Sequence, residues 1–104
     1  MSTFIPVPYT HDPETNIALL EQQLQELCAT DTDAIAIYAN AAALLQQYLR
    51  RINWVGFYRW SESRRELVLG PFQGLPACQR IPLGRGVCGR AVAERRTLCV
   101  PDVR

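Results

Sequence analysis

The chain has 104 residues, 48% of them hydrophobic and 20% charged, which is the composition of one ordinary globular domain. No apolar run approaches the ~20 residues of a membrane span, and residues 1–11 lack the basic flank and apolar core of a signal peptide. The sequence therefore favours a cytoplasmic protein without a membrane partner. In that compartment a cysteine pair is more often catalytic than structural, so the four cysteines are not expected to form a disulfide framework.

The formal net charge of +1 hides an asymmetry between the two halves of the chain. Residues 1–49 contain six acidic side chains and no lysine or arginine, whereas residues 50–104 contain eleven arginines and four acidic side chains, a formal charge of +7. A basic half can indicate nucleic-acid binding, but these arginines are spread over several predicted elements and do not alternate with aromatic residues. We therefore expect the halves to neutralise each other, and no nucleic-acid partner.

The first half of the chain predicts an extended tail followed by two helices. Residues 1–12 include two prolines and are expected to be extended, and Asp12 can cap a helix that has Pro13 at its first position. Apolar residues then recur at helical spacing and predict one core-facing side, which comprises Ile17, Leu20, Leu24, Leu27 and Cys28. After a polar break at residues 30–33, a second helix is predicted to about Leu49, with an inward stripe of Tyr38, Ala41, Leu45 and Tyr48.

The second half predicts strands and one short helix. Residues 52–60 are rich in β-branched and aromatic side chains, and their alternation places Trp54, Gly56 and Tyr58 on one face of a strand. A polar turn and a strand at residues 66–70 complete a hairpin, and a short extended piece follows around Ile81. A helix containing Cys88 and a final strand at residues 97–100 are predicted next. The order predicts an α+β fold that begins its sheet with antiparallel strands.

A glycine-rich segment at residues 84–89 carries the strongest chemical signal. Cys88 lies where this segment is predicted to become a helix, and a helix N-terminus with nearby Arg85 and Arg90 stabilises a thiolate. Cys88 is therefore predicted to be a reactive thiol, with Cys78, ten residues earlier, as its partner. The alternative is that both cysteines are small buried hydrophobic residues.

Other chemistries find less support in the sequence. Residues 84–89 also match the G-x-G-x-x-G fingerprint of dinucleotide-binding proteins, with Asp102 as a candidate ribose ligand, but Pro82 interrupts the strand that the fingerprint requires. His11 is the sole histidine, and the chain has no C-x-x-C pair. We therefore predict neither a metal site nor a cofactor.

Three ordered segments carry a resemblance to a known family. They are N-W-V-G-F-Y at residues 53–58, L-V-L-G-P-F-Q-G at residues 67–74, and G-R-G-V-C-G at residues 84–89, with Cys78 between the last two. In this order they resemble the signature of the free methionine-R-sulfoxide reductases, enzymes of GAF fold. The resemblance implies an α+β, GAF-like fold with N-terminal helices packed on an antiparallel sheet. It also implies reduction of free methionine-R-sulfoxide to methionine, with thioredoxin as electron donor.

The resemblance also implies roles for individual residues. Cys78 and Cys88 correspond to two of the family's three redox cysteines, and which cysteine attacks the sulfoxide is left open. Trp54 and Tyr58 are expected to wall the pocket for the methyl-sulfoxide end of the substrate, the alternative being that they are ordinary core aromatics. Cys99 has no counterpart in the family pattern and is expected to be a packing residue.

The resemblance to this family also predicts an incomplete enzyme. The family's third cysteine, its substrate-binding carboxylates and its last strands and helix lie beyond the segments matched here, so residues 1–104 are expected to form a single, incomplete GAF domain with low or no activity. The alternative function is a GAF-like module that binds a small ligand or senses redox state without turnover. Both the reductase function and this alternative function are compatible with a homodimer.

Overall fold

The computed structural model describes residues 10–49 and 51–101. Most of the predicted tail at residues 1–12, and Asp102 of the dinucleotide alternative, thus lie outside the described residues. The described elements are α1 (Pro13–Thr30), α2 (Ala34–Tyr48), β1 (Val55–Ser61), β2 (Glu66–Gln73), β3 (Arg80–Pro82) and α3 (Gly86–Glu94). The strands form one sheet in the order β1-β2-β3, which confirms the predicted α+β class.

The chain divides into two compact units. The first unit comprises the described residues up to 57 together with Gly70–Leu75, and the second comprises Tyr58–Leu69 together with the described residues from 76 onward. That the whole chain belongs to one domain stays a prediction. In the part of the chain that the structure describes, no helix combines the length and the apolar character needed to cross a bilayer.

Helix α1 begins at the predicted cap. The Asp12 carboxylate accepts a hydrogen bond from the Glu14 amide, and Pro13 occupies the first helical position, where its missing N–H costs nothing. The Thr15 hydroxyl also donates to Asp12. This hydroxyl, together with the amides of the first turn, holds the pKa of Asp12 below its ordinary value.

The buried face of α1 differs from the one predicted. Asn16, Leu20, Gln23 and Leu27 are buried, whereas Ile17 is 60% exposed and Cys28 is exposed, so the prediction that Cys28 belongs to the core was wrong. The helix can bury these polar residues because each has a hydrogen-bond partner. The Gln23 amide donates to the Tyr48 hydroxyl at 3.0 Å, and the Asn16 amide donates to the Thr10 carbonyl at 3.0 Å.

Helix α2 supplies the other side of the first unit's core. Asp33 caps it by accepting from the Ala36 amide at 2.9 Å. The core cluster comprises Leu20, Leu27, Ala41, Leu44 and Tyr48. The predicted inward stripe is thus right at Ala41 and Tyr48, while Leu45 packs at the edge of the core. It is wrong at Tyr38, which is 46% exposed and whose ring lies 4.8 Å from that of Phe57.

The strands keep their predicted order with shifted bounds. Strand β1 begins three residues later than predicted, and β2 continues to Gln73 instead of ending at Gly70. Strand β3 pairs antiparallel with β2 in the register Glu66↔Pro82, Leu67↔Ile81 and Val68↔Arg80. This pairing places the segment that contains Cys78 directly before an edge strand.

The end of the described chain departs from the prediction. Helix α3 ends at Glu94, followed by Arg95 in the left-handed region at φ 52°. Residues 97–100 form no strand, and Cys99 is exposed, so the predicted final strand and the predicted packing role of Cys99 were both wrong. A strand needs a hydrogen-bonded neighbour, and residues 97–100 pair with none of the three described strands.

Candidate functional site

A shallow cavity in the second unit brings the two predicted redox cysteines together. Its volume is about 370 Å³, and its lining includes Cys78, Arg80, Ile81, Arg85, Val87 and Cys88. Both cysteines are exposed, so the alternative that they are buried packing residues was wrong. A small molecule that enters this cavity can therefore reach either thiol.

Cys88 reaches the cavity from the first turn of α3. Gly84 and Gly86 have φ values of 83° and 60°, which permit the tight turn before the helix. The turn is closed by a hydrogen bond from the Gly84 amide to the Gly89 carbonyl at 3.0 Å and by one from the Arg85 amide to the Pro82 carbonyl at 3.1 Å. Cys88 thus lies in the first turn of α3, where backbone amides have no intrahelical acceptor.

The arginines near the cysteines are not equivalent. Arg85 lines the cavity, whereas the Arg90 guanidinium lies 3.5 Å from the Glu94 carboxylate on the same helix. Of the two arginines predicted to act on Cys88, the structure therefore brings Arg85 to the cavity. Arg80, which the sequence reasoning missed, also lines it and pairs with Glu66 at 3.0 Å. Its spacing of two residues from Cys78 in an extended segment was the signal that could have found it.

Tyr58 contacts the Cys78 backbone within the same unit. Its hydroxyl donates a hydrogen bond to the Cys78 carbonyl oxygen at 2.7 Å. Desolvation, followed by the electrostatic effect of Cys78 and Cys88, raises the pKa of Tyr58 above its ordinary value. The second unit therefore assembles Tyr58 and both cysteines in one neighbourhood.

Trp54 lies in the first unit, directly before β1. Its indole stacks on Phe72 with a centroid distance of 5.5 Å and donates through Nε1 to the Leu75 carbonyl at 3.2 Å. Gly56 makes this stack possible, since a Cβ there would lie 2.4 Å from the Phe72 Cβ and 2.8 Å from the Trp54 ring. A pocket wall shared by Trp54 and Tyr58 stays a prediction.

The remaining alternatives lack the required context in the described residues. The glycine-rich turn follows a strand that is antiparallel to its neighbour, not the parallel strand that a dinucleotide fingerprint needs. Over residues 10–49 and 51–101, no group of three or more histidine, cysteine, aspartate or glutamate side chains is arranged to hold a metal ion.

A second cavity, of about 490 Å³ in the first unit, is lined by His11, Asn16, Tyr48 and Arg51 among others, and none of its lining residues is a cysteine.

Comparison with known proteins places this site in context. No protein-family model matches the chain. The free methionine-R-sulfoxide reductase of Escherichia coli is 49% identical over 84 residues, which are 81% of this chain and 50% of the relative. Among solved structures, a putative GAF sensor protein from Burkholderia vietnamiensis matches with a TM-score of 0.82 and 47% identity, over 88% of this chain and 57% of its own. The free methionine-R-sulfoxide reductase of Neisseria meningitidis, solved with its substrate, matches with a TM-score of 0.87 and 40% identity, over 97% of this chain and 60% of its own.

These matches define the class of protein: the described chain has the α+β architecture of a GAF domain, as predicted. Within that class, the chain is similar to the free methionine-R-sulfoxide reductases of Escherichia coli and Neisseria meningitidis, which confirms the resemblance predicted from its sequence segments. It spans about half the length of the curated relatives that it matches.

Proposed function

We propose that this chain carries two of the redox cysteines of a free methionine-R-sulfoxide reductase, Cys78 and Cys88. The observation that carries the proposal is the cavity that both exposed thiols line. The relationship to reductases of Escherichia coli and Neisseria meningitidis supports the choice of substrate. Trp54 and Tyr58 are proposed to bind the methyl-sulfoxide end of that substrate.

The proposed chemistry is a thiol reduction in three balanced steps. A cysteine thiolate attacks the sulfoxide sulfur to form a transient S–S bond, and the sulfoxide oxygen takes up a proton. The oxygen then passes to the cysteine sulfur as the substrate S–O bond and the S–S bond break, so that methionine leaves and the cysteine becomes a sulfenic acid. A second cysteine thiol attacks the sulfenic sulfur, which forms a disulfide and releases water. A dithiol protein of the thioredoxin class then reduces the disulfide by exchange and becomes oxidised itself. Cys88 can serve as the attacking or the resolving thiol.

The test uses an extended chain, because this one spans about half the length of its curated relatives. Residues 1–101 are joined to the C-terminal half of the Escherichia coli relative, and methionine formation is measured with the R and S epimers of free methionine sulfoxide. We expect turnover of the R epimer, supported by thioredoxin and its reductase. Cys88→Ser and Cys78→Ser should each abolish turnover or stall it after one cycle, whereas the control Cys28→Ser should not.

The alternative of a ligand-binding or redox-sensing module has one observation in its favour, the likeness to a protein described as a putative GAF sensor. Its signature in the same experiment is distinct. Binding of methionine sulfoxide without methionine formation, in an extended chain that is folded, would replace the reductase proposal with this one. Turnover that survives the loss of both Cys78 and Cys88 would also contradict the proposed cysteine chemistry.

A further inference from the structure

One side chain connects the backbone of Cys78 to the sheet. Tyr58 lies on β1, and its hydroxyl donates to the Cys78 carbonyl oxygen at 2.7 Å. Cys78 itself lies outside the regular elements, two residues before β3 begins at Arg80. The hydrogen bond thus joins a residue in a strand to a residue in an irregular segment.

The next residue is held in a similar way by the neighbouring strand. The carbonyl oxygen of Gln79 accepts a hydrogen bond from the Leu69 amide of β2 at 3.0 Å. Two consecutive carbonyls, those of Cys78 and Gln79, are therefore bound by two different strands. Together these bonds define the backbone orientation of the residue that carries the thiol, because each removes freedom about the intervening dihedral angles.

The Tyr58 hydroxyl is suited to remain a donor while the thiols react. Desolvation, followed by the charges of Cys78 and Cys88, raises the pKa of Tyr58. Thiols ionise at lower pH than phenols do. The hydroxyl therefore keeps its proton over the pH range in which cysteine thiolates form, and the hydrogen bond to Cys78 is present when it is needed.

We propose that Tyr58 is a positioning residue for Cys78, whose hydroxyl fixes the Cys78 backbone so that the thiol stays in the cavity shared with Cys88. This inference rests on the proposed function, in which the two cysteines belong to one redox relay. It assigns the hydroxyl a task separate from the pocket wall predicted for the aromatic ring. Loss of this hydrogen bond should lower the equilibrium constant for forming a Cys78–Cys88 disulfide about threefold to tenfold.

The experiment compares the 104-residue chain with its Tyr58→Phe variant, which keeps the ring and removes the hydroxyl. Each protein is equilibrated in a mixture of reduced and oxidised glutathione. When the Cys78 and Cys88 thiols form a disulfide, they transfer two electrons and two protons to one molecule of oxidised glutathione, which is thereby converted to two reduced molecules. Peptide mass spectrometry gives the fraction of Cys78–Cys88 disulfide. Hydrogen exchange at the Leu69 amide reports the backbone beside Cys78.

The expected result is a disulfide equilibrium constant about threefold to tenfold lower in Tyr58→Phe, with exchange at Leu69 faster by a similar factor. The matched control is Tyr48→Phe, which removes a buried hydroxyl that accepts from Gln23 in the other unit. It should leave the fraction of Cys78–Cys88 disulfide unchanged.

Three results would overturn the inference. The first is a disulfide equilibrium constant that is unchanged in Tyr58→Phe. The second is an equal decrease of that constant in Tyr48→Phe. The third applies if the wild-type chain forms no Cys78–Cys88 disulfide, and it is hydrogen exchange at Leu69 that is unchanged in Tyr58→Phe. In that last case the absent disulfide counts against the proposed cysteine pairing, while faster exchange in Tyr58→Phe still supports the positioning of Cys78. Failure of the pairing and failure of the positioning are thereby distinguished.

Discussion

At the scale of single residues, the four cysteines differ in their positions in the fold and not in their exposure. All of them are exposed. Cys28 lies in the last turns of α1 and Cys99 follows α3, whereas Cys88 lies in the first turn of α3 beside Arg85. Position relative to a helix dipole is therefore the property that distinguishes Cys88.

The first prediction is that Cys88 is alkylated faster than Cys28 and Cys99 at neutral pH. Cys88 lies in the first turn of α3 and lines the same cavity as Arg85, and cysteines at helix N-termini beside a cation are typically the reactive ones. Labelling with iodoacetamide, followed over time by peptide mass spectrometry, gives the four rates in one sample. Faster labelling of Cys28 or Cys99 would contradict the activated-thiol assignment.

The second prediction concerns the titration of Tyr58. Its pKa is raised by desolvation first and then by Cys78 and Cys88, so Cys88→Ser should lower the pKa of Tyr58 toward its ordinary value without restoring it fully. Ring NMR shifts measured against pH would report this. Cys28→Ser is the control, and a Tyr58 pKa that responds equally to both substitutions would rule out a local effect.

At the scale of elements, helix α1 depends on the charge of its cap. The pKa of Asp12 is lowered below its ordinary value of 3.8 by the Thr15 hydroxyl and the first-turn amides. A depressed pKa means that the stabilisation is complete above the unfolded-state value and is lost as the pH falls through the folded-state value. We therefore predict that helicity, followed by circular dichroism, declines as the pH falls below the ordinary Asp12 value of 3.8. The Asp12→Asn variant should show a smaller decline; an identical one would contradict the cap assignment.

The stability of the helix pair α1 and α2 should depend on the buried hydrogen bond between Gln23 and Tyr48. Tyr48→Phe removes the hydroxyl that accepts from Gln23, and we expect a loss of about 1–3 kcal/mol in the free energy of unfolding. Adding Gln23→Leu to this variant should recover part of that loss, because an apolar side chain no longer requires a partner. Urea unfolding of the single and double variants gives the values, and strictly additive losses would contradict a direct coupling.

The elements also show what could be predicted from the sequence. The cap at Asp12, the order of helices and strands, and the placement of Cys88 at a helix start followed from residue types and spacing. The buried face of α1 could not be predicted in this way. Apolar periodicity does not show that Gln23 is buried, because its burial depends on a hydrogen bond to the Tyr48 hydroxyl on another helix. The hydrogen bond from Tyr58 to the Cys78 carbonyl was also beyond reach, since it joins residues twenty positions apart through backbone geometry.

At the scale of the whole molecule, the chain spans about half the length of the curated relatives that it matches. The last prediction is that the 104-residue chain, supplied with thioredoxin, reduces free methionine-R-sulfoxide at least about 100-fold more slowly than the extended chain described above. Thiols without positioned substrate-binding groups lose most of the benefit of proximity. Methionine release, measured by chromatography, provides the comparison, and equal rates would overturn the expectation of an incomplete site.

The packing of α3 against the end of β3 has a consequence for how mutations in this protein are interpreted. A Cβ at Gly89 would lie 2.7 Å from the carbonyl oxygen of Pro82, a backbone atom that cannot rotate away. Even alanine would therefore push the start of α3, and Cys88 with it, away from the strand. In a saturation scan of the extended chain, scored by the methionine formation that the proposed function requires, this glycine would rank beside the thiols although it takes part in no step of the proposed chemistry. Intolerance of substitution at this position would record the shape of the cavity and not its chemistry.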